Sequence, residues 1–149
     1  MELSEKALAL ISAALRHIRD AEHLAHVPPP DQSLDQAYHL AGYAPECARK
    51  ATLSIRWLDK TLGHRFDPKA EDVIGFVLEL DAHAHRYQPT NWGTRYPALA
   101  LWREDSRYER TGTFEEDEVS PLLKEARKAV DLVILGLWAD GRIPAEVLE

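Results

Sequence analysis

The stretch that decides the fold is LDQAYHLAGYAPECARKATLSIRWLDKTL, which runs from Leu34 to Leu62. Its apolar residues recur at alternating spacings of three and four, the pattern of one face of an α-helix. They are Leu34, Ala37, Ala41, Ala44, Ala48, Ala51, Ile55, Leu58 and Leu62. This pattern predicts a central helix of about 28 residues. Pro45 lacks an N–H for helical bonding, so a kink is expected near Ala41. Small residues around Gly42 predict the close approach of another helix.

Two further helices are predicted on either side of this stretch. The first runs from Leu3 to about His26, with Ser4 as its N-cap, and the prolines at positions 28–30 end it. A later helix begins at Asp67-Pro68, an N-cap followed by proline at the first helical position, and continues to about His85. Proline and glycine then interrupt any long period between Tyr87 and Gly112, which predicts a loop-rich crossover.

The last predicted helix starts at either Thr113 or Ser120, since both positions carry a helix-start signal. Its segment from Leu132 to Trp138 is apolar on every side. Such a helix must be covered on more than one face. In so small a bundle a second subunit is the simplest cover, so the sequence predicts a homodimer.

The whole chain reads as a single domain over residues 1–149. No strand-like alternation competes with the helical pattern, and the predicted fold is all-α, an antiparallel bundle of four to five helices. The net charge of −7 excludes a polyanion-binding surface driven by overall charge. Cys47 is the only cysteine, which excludes an intramolecular disulfide and fits a reducing compartment. No signal sequence or membrane-length apolar run is evident, so a cytoplasmic protein without membrane contact is expected.

Two motifs resemble those of prokaryotic HEPN-domain proteins. Residues 35–51 are similar to the helix A-Y-x-L-A-G-Y-A-x-E-C-x-L-K-A of that family. The matching positions are Tyr38, Leu40, Ala41, Gly42, Tyr43, Ala44, Glu46, Cys47, Lys50 and Ala51. Residues 102–108, WREDSRY, resemble the W-x-x-x-x-R-Y element that accompanies this helix. Pro45 and Arg49 depart from the pattern, in which both positions are usually apolar.

The resemblance implies a dimerising helical bundle, often encoded beside a nucleotidyltransferase-type protein partner, in toxin–antitoxin, defence or stress systems. Active members are metal-independent ribonucleases that carry, at the start of or within a late helix, an arginine followed by four to six residues and then a histidine. Here Arg127 is the only late-helix arginine before the apolar run, and no histidine follows His85. The catalytic pair therefore does not carry over. The nearest spacing of this kind is that of Arg16 and His23 in the first helix. The alternative for these two residues is a solvent-exposed helix face without a catalytic role.

The strongest candidate for a nucleic-acid surface is one basic stripe. Arg49, Arg56 and Lys60 follow one another at helical spacing, with Arg107 and Tyr108 of the crossover as guanidinium and stacking partners. A solvated face, or pairing with the acidic residues 115–118, is the alternative. Arg107, Tyr108 and Trp102 also fit a role in anchoring the crossover to the bundle.

The remaining polar positions favour structural roles. Glu46 and Lys50 are spaced as an ion pair on one helix face, and Cys47 reads as a buried thiol. His23 and His26 lack enough further ligands for a metal site, so no metal and no cofactor are expected. The sequence thus favours a non-catalytic, dimeric HEPN-like module that engages RNA or a protein. The alternative is a metal-independent endoribonuclease toxin with a displaced Arg/His pair.

Overall fold

The computed structural model describes residues 1–149 as an all-α protein. Its α-helices are α1 (Glu5–His26), α2 (Leu34–Ala51), α3 (Leu58–Leu62), α4 (Glu71–Leu80), α5 (Ala82–Tyr87), α6 (Trp92–Arg95), α7 (Pro97–Leu101) and α8 (Glu116–Ala139). Short 3-10 turns cover Pro68–Ala70, Glu104–Tyr108 and Ala145–Val147. No helix combines the length and the apolar composition needed to cross a membrane.

The core lies between the three long helices. α1 packs along α2 over the most extensive contact of the fold, and α8 packs against both. The buried face of α2 is mostly alanine, as its sequence predicts, while α1 and α8 contribute larger aliphatic side chains. The prediction of an all-α fold is confirmed. Ser4 also caps α1, because its side chain accepts a hydrogen bond from the backbone N–H of Ala7 at 3.2 Å.

The predicted central helix is wrong in length. α2 ends at Ala51 after 18 residues, and Leu58–Leu62 form a separate short helix. The carbonyl of Arg49 accepts hydrogen bonds from the hydroxyl of Thr52 at 2.6 Å and from the side-chain amide of Gln88 at 3.1 Å. These side chains supply hydrogen-bond donors to a carbonyl at the C-terminal end of α2. The apolar spacing within residues 34–62 could not reveal a donor that comes from residue 88.

Both long helices that contain a proline continue through it. Pro45 lies inside α2 without ending it, as predicted. Gly42 accommodates the indole of Trp102 rather than a helix backbone, since a Cβ at this position would lie 2.0 Å from the ring. α8 begins at Glu116, between the two predicted starts, and continues through Pro121. The side chain of Glu118 accepts from the backbone N–H of Glu115 at 3.5 Å.

The start predicted at Asp67-Pro68 is confirmed, although the helix is divided. Asp67 accepts from the backbone N–H of Ala70 at 3.1 Å and begins a 3-10 turn that leads into α4. Asp81 then ends α4 and caps α5 through the backbone N–H of Ala84 at 3.2 Å. A single predicted helix is therefore two helices joined at one aspartate.

Candidate nucleic-acid interface

The predicted basic stripe is not a continuous surface. Arg49 is fully buried and donates hydrogen bonds to the carbonyls of Gly63 at 3.1 Å and Arg65 at 3.0 Å. Its guanidinium lies 4.0 Å from the centroid of the Phe66 ring. Burial lowers the pKa of Arg49 to about 10. The expectation that Arg49 contacts nucleic acid is therefore corrected: this side chain holds the loop after α3 against α2.

The next two members of the stripe are separated by the break after α2. Arg56 turns back onto the chain and donates to the carbonyls of Lys50, at 2.7 Å, and of Leu53. Lys60 lies in α3 and is exposed. Because the predicted long helix does not exist, the spacing of Arg49, Arg56 and Lys60 no longer places them on one face. Of the three, Lys60 alone presents an uncommitted cation.

Arg107 and Tyr108 lie at the end of the 3-10 turn that packs on α2. Tyr108 is 75% exposed, and the Arg107 guanidinium is 4.8 Å from the centroid of its ring. Trp102 has the anchoring role instead, since it is fully buried and its indole N–H donates to the carbonyl of His39 at 3.2 Å. The two alternatives for this motif thus apply to different residues: Trp102 anchors the crossover, and Arg107 and Tyr108 face solvent.

A cluster around Tyr43 adjoins Arg107. The rings of His39 and Tyr43 meet edge to face, with centroids 4.8 Å apart, and His17 of α1 lies 6.2 Å from Tyr43. The hydroxyl of Ser106 is 3.4 Å from Nδ1 of His39. Arg107 is close enough to affect the ionisation of both His39 and Tyr43. We refer to His17, His39, Tyr43, Ser106 and Arg107 as the histidine cluster.

Burial determines the charge of this cluster. It lowers the pKa of His17 and of His39, and the neighbouring Arg16 and Arg107 respectively lower these values further. Both imidazoles are therefore neutral at pH 7. Burial also raises the pKa of Tyr43, which keeps its hydroxyl protonated. The cluster thus offers neutral hydrogen-bonding groups beside a permanent cation.

The histidine cluster was not predicted from the sequence, although two of its members share a helix face there. His39 and Tyr43 are four residues apart within the quoted signature, and so share a helix face. Ser106 and Arg107 belong to the second motif. What the sequence lacks is the position of His17, which reaches Tyr43 only because α1 packs along α2.

A second polar group borders the cluster on α2. Glu46 accepts from Lys50 at 2.8 Å, which confirms the predicted ion pair, and it also contacts Nδ1 of His64 at 2.7 Å. Burial raises the pKa of Cys47 to about 11, so its thiol is protonated and unreactive at neutral pH. The carboxylate of Glu46 therefore contacts two basic side chains, Lys50 and His64.

The remaining predicted positions do not assemble into a site. Arg16 and His23 are both exposed on α1, about two helical turns apart. Arg127 donates to Glu22 at 2.7 and 3.0 Å, which ties α8 to α1 and commits the only arginine at the expected late-helix place. No group of three or more His, Cys, Asp or Glu side chains is arranged to hold a metal ion.

Comparison with protein-family models, with curated proteins and with solved structures finds no match to this chain. The resemblance to HEPN-domain proteins therefore depends on the two motifs alone. In the structure both motifs meet, since Trp102 of the second packs against Gly42 and Tyr43 of the first.

Proposed function

We propose that the protein is a non-catalytic, HEPN-like binding module with an antiparallel helical arrangement, which binds single-stranded RNA at Arg107 and Tyr108. The observation that carries this proposal is the exposed tyrosine ring beside an arginine on the surface of an acidic protein. Aromatic and guanidinium planes stack on unpaired bases, and the guanidinium also binds phosphate. Lys60 is no longer required for this surface, and Arg49 and Arg56 are excluded from it by their contacts.

The lack of a catalytic pair supports binding without cleavage. Metal-independent cleavage of RNA needs a base at the 2′-hydroxyl and a cation at the phosphorane. Arg127 is ion-paired with Glu22, and Arg16 and His23 lie about two helical turns apart on α1. From the motif resemblance, the proposal also includes a role in a toxin–antitoxin, defence or stress system. It includes a nucleotidyltransferase-type protein as a partner. A neighbouring reading frame of that type would support them.

Dimerisation through α8 is the second part of the proposal. Leu132, Leu135 and Trp138 are spaced by three residues and are 43%, 62% and 52% exposed. The opposite side of the same helix packs into the core. Three large apolar side chains together at one end of a helix favour burial against an equivalent surface, and a two-fold dimer brings the two copies together.

The experiment that tests RNA binding is a titration of a labelled single-stranded oligonucleotide, followed by fluorescence anisotropy. Replacing Tyr108 with alanine should reduce affinity by about 1–3 kcal/mol if a base stacks on the ring. Arg107→Glu should also weaken binding, whereas Arg110→Glu is the control, since Arg110 is exposed and outside the cluster. Wild-type affinity in both Tyr108→Ala and Arg107→Glu would reject this surface and favour a protein partner.

A second candidate function is metal-independent ribonuclease activity. The observation that favours it is that the structure places a neutral histidine, His39, close to an arginine, Arg107. This arginine–histidine pair differs from Arg16 and His23. Incubation of the protein with mixed RNA in the presence of a chelator tests it directly. Cleavage that His39→Gln abolishes would establish this function in place of the non-catalytic one.

A further inference from the structure

Two half-buried histidines from different helices flank one tyrosine next to the proposed RNA surface. His17 comes from α1 and His39 from α2, and both face the ring of Tyr43. The hydroxyl of Ser106 is within reach of His39. RNA binding at Arg107 and Tyr108 assigns no role to these histidines. Their surroundings indicate what they bind.

The charged groups around the pair balance each other when the histidines are neutral. Three elements supply them: α1, α2 and the 3-10 turn. The cations are Arg16, Lys50 and Arg107, and the carboxylates are Asp20, Glu46 and Glu104. His64 contacts Glu46 from the loop after α3, and Tyr108 lies beside Arg107. Protonation of both histidines adds two positive charges that no further carboxylate offsets.

An oxyanion beside the two histidines and Arg107 would reverse the effect of burial. The neutral form is favoured because the rings are half-buried beside arginines. A negative ligand favours the imidazolium form instead, and an imidazolium donates through both ring nitrogens. Anion binding and proton uptake are therefore coupled, since each strengthens the other.

We propose that His17, His39 and Arg107 bind a phosphate group, and that this binding strengthens as the pH falls. Ser106 and Tyr43 supply hydroxyl donors at the same place. Where the phosphate is a diester of a bound strand, the inference depends on the proposed function. A free phosphate monoester has the same chemistry and would use the same groups.

The test uses anions whose own charge does not change with pH. Sulfate and a dinucleoside monophosphate without a terminal phosphate both meet this condition between pH 5.8 and 8. Binding is measured by NMR through the ring protons of His17 and His39. The affinity for both anions should rise at least about tenfold from pH 8 to pH 5.8, because even one coupled proton contributes up to tenfold for each of these pH units. The pKa of both histidines should also rise when sulfate is saturating.

Three variants separate the cluster from general electrostatics. His39→Gln and Arg107→Gln should lower anion affinity at pH 5.8, and His39→Gln should also flatten its pH dependence. His85→Gln is the matched control, since His85 is exposed on α5. The titration of wild-type His17 and His39 with and without sulfate requires no substitution, so a variant that fails to fold does not remove the test.

The outcomes distinguish this inference from the proposed function. RNA binding with no effect of pH on sulfate affinity, or histidine pKa values that sulfate leaves unchanged, would overturn the phosphate site alone. Sulfate binding that strengthens at low pH in a protein that does not bind RNA would support the site and reject the RNA. Binding of the dinucleoside monophosphate in the same way identifies a phosphodiester as a sufficient ligand.

Discussion

The carboxylate of Asp81 accepts a hydrogen bond from the backbone N–H of Ser54 at 2.7 Å. The same carboxylate accepts from the Ser54 hydroxyl at 2.8 Å and from the backbone N–H of Ile55 at 2.9 Å. One buried side chain thus holds the turn that follows α2 and also caps α5. The turn between α2 and α3, and with it the start of α3, depends on this contact.

This arrangement predicts a loss of stability in acid. Burial raises the pKa of Asp81, but the hydrogen bonds from Ile55, Ser54 and Ala84 outweigh it, so the pKa lies below its usual value of 3.8. The unfolded chain therefore binds this proton more readily than the folded protein. The stabilisation is complete well above pH 3.8 and is lost as the pH falls through the folded-state pKa. Urea unfolding of wild-type protein should show a steeper decline below pH 4 than that of Asp81→Asn.

The control for this prediction is an exposed carboxylate with no hydrogen bond, such as Glu79. Glu79→Gln should leave the wild-type decline in place. Asp81→Asn should also be less stable than wild type at pH 7 by at least about 1 kcal/mol, since the amide replaces an acceptor of charge-assisted hydrogen bonds. Parallel pH profiles for wild type and Asp81→Asn would contradict the role given to Asp81.

Two glycines in helices predict opposite effects of the same substitution. Gly42→Ala places a methyl group inside the volume of the Trp102 ring, and Trp102 is fully buried. Overpacking of this kind should reduce the free energy of unfolding by about 1–3 kcal/mol. Gly75→Ala meets open space in α4 and should increase it by about 0.5–1 kcal/mol through helix propensity. Urea unfolding of the two variants measures both effects, and a Gly42→Ala variant as stable as wild type would show that Gly42 is not a packing site.

The proposed dimer predicts a change of mass in one variant only. Leu135→Asp introduces a charge in the middle of the exposed apolar face of α8 and should yield a monomer in sedimentation velocity. Leu101→Asp is the control, because Leu101 is 75% exposed but lies on α7, away from that face. A wild-type protein that remains monomeric at high micromolar concentration would reject the dimer.

The extent of prediction from sequence can be seen at α2. Its alanine face and its N-terminal half follow the periodic pattern, because local spacing determines which residues share a helix face. Its C-terminal end does not, because Gln88 and Asp81 supply the donors and acceptors that end the helix and reverse the chain. The pattern itself continues to Leu62 in α3, since a separate helix that packs on the same core has the same spacing.

The candidate interface also contains residues whose exposure the sequence predicted and residues whose burial it did not. The anchoring role that the sequence favoured for Trp102, Arg107 and Tyr108 holds for Trp102 alone, since Trp102 is fully buried whereas Arg107 and Tyr108 are exposed. Arg49 is inside the protein, where its Nη2 donates to the carbonyls of Leu62 at the end of α3 and of Gly63 and Arg65 in the loop that follows. A buried arginine paired with backbone carbonyls and an aromatic ring has no sequence signal that separates it from a surface cation. Tertiary contacts alone reveal its role, as they do for His17.

The most direct test of the central claim combines RNA binding and RNA integrity in one sample. Wild-type protein is titrated into a single-stranded oligonucleotide in a chelator at several salt concentrations, and the RNA is then examined on a denaturing gel. Intact RNA is expected, with an affinity that falls as salt rises. Each phosphate contact on a single strand contributes about −0.7 to the slope of log affinity against log salt, so the Arg107 contact alone accounts for about that much. Arg107→Glu should flatten this slope. Cleaved RNA, or an affinity that neither salt nor Arg107→Glu changes, would contradict the account.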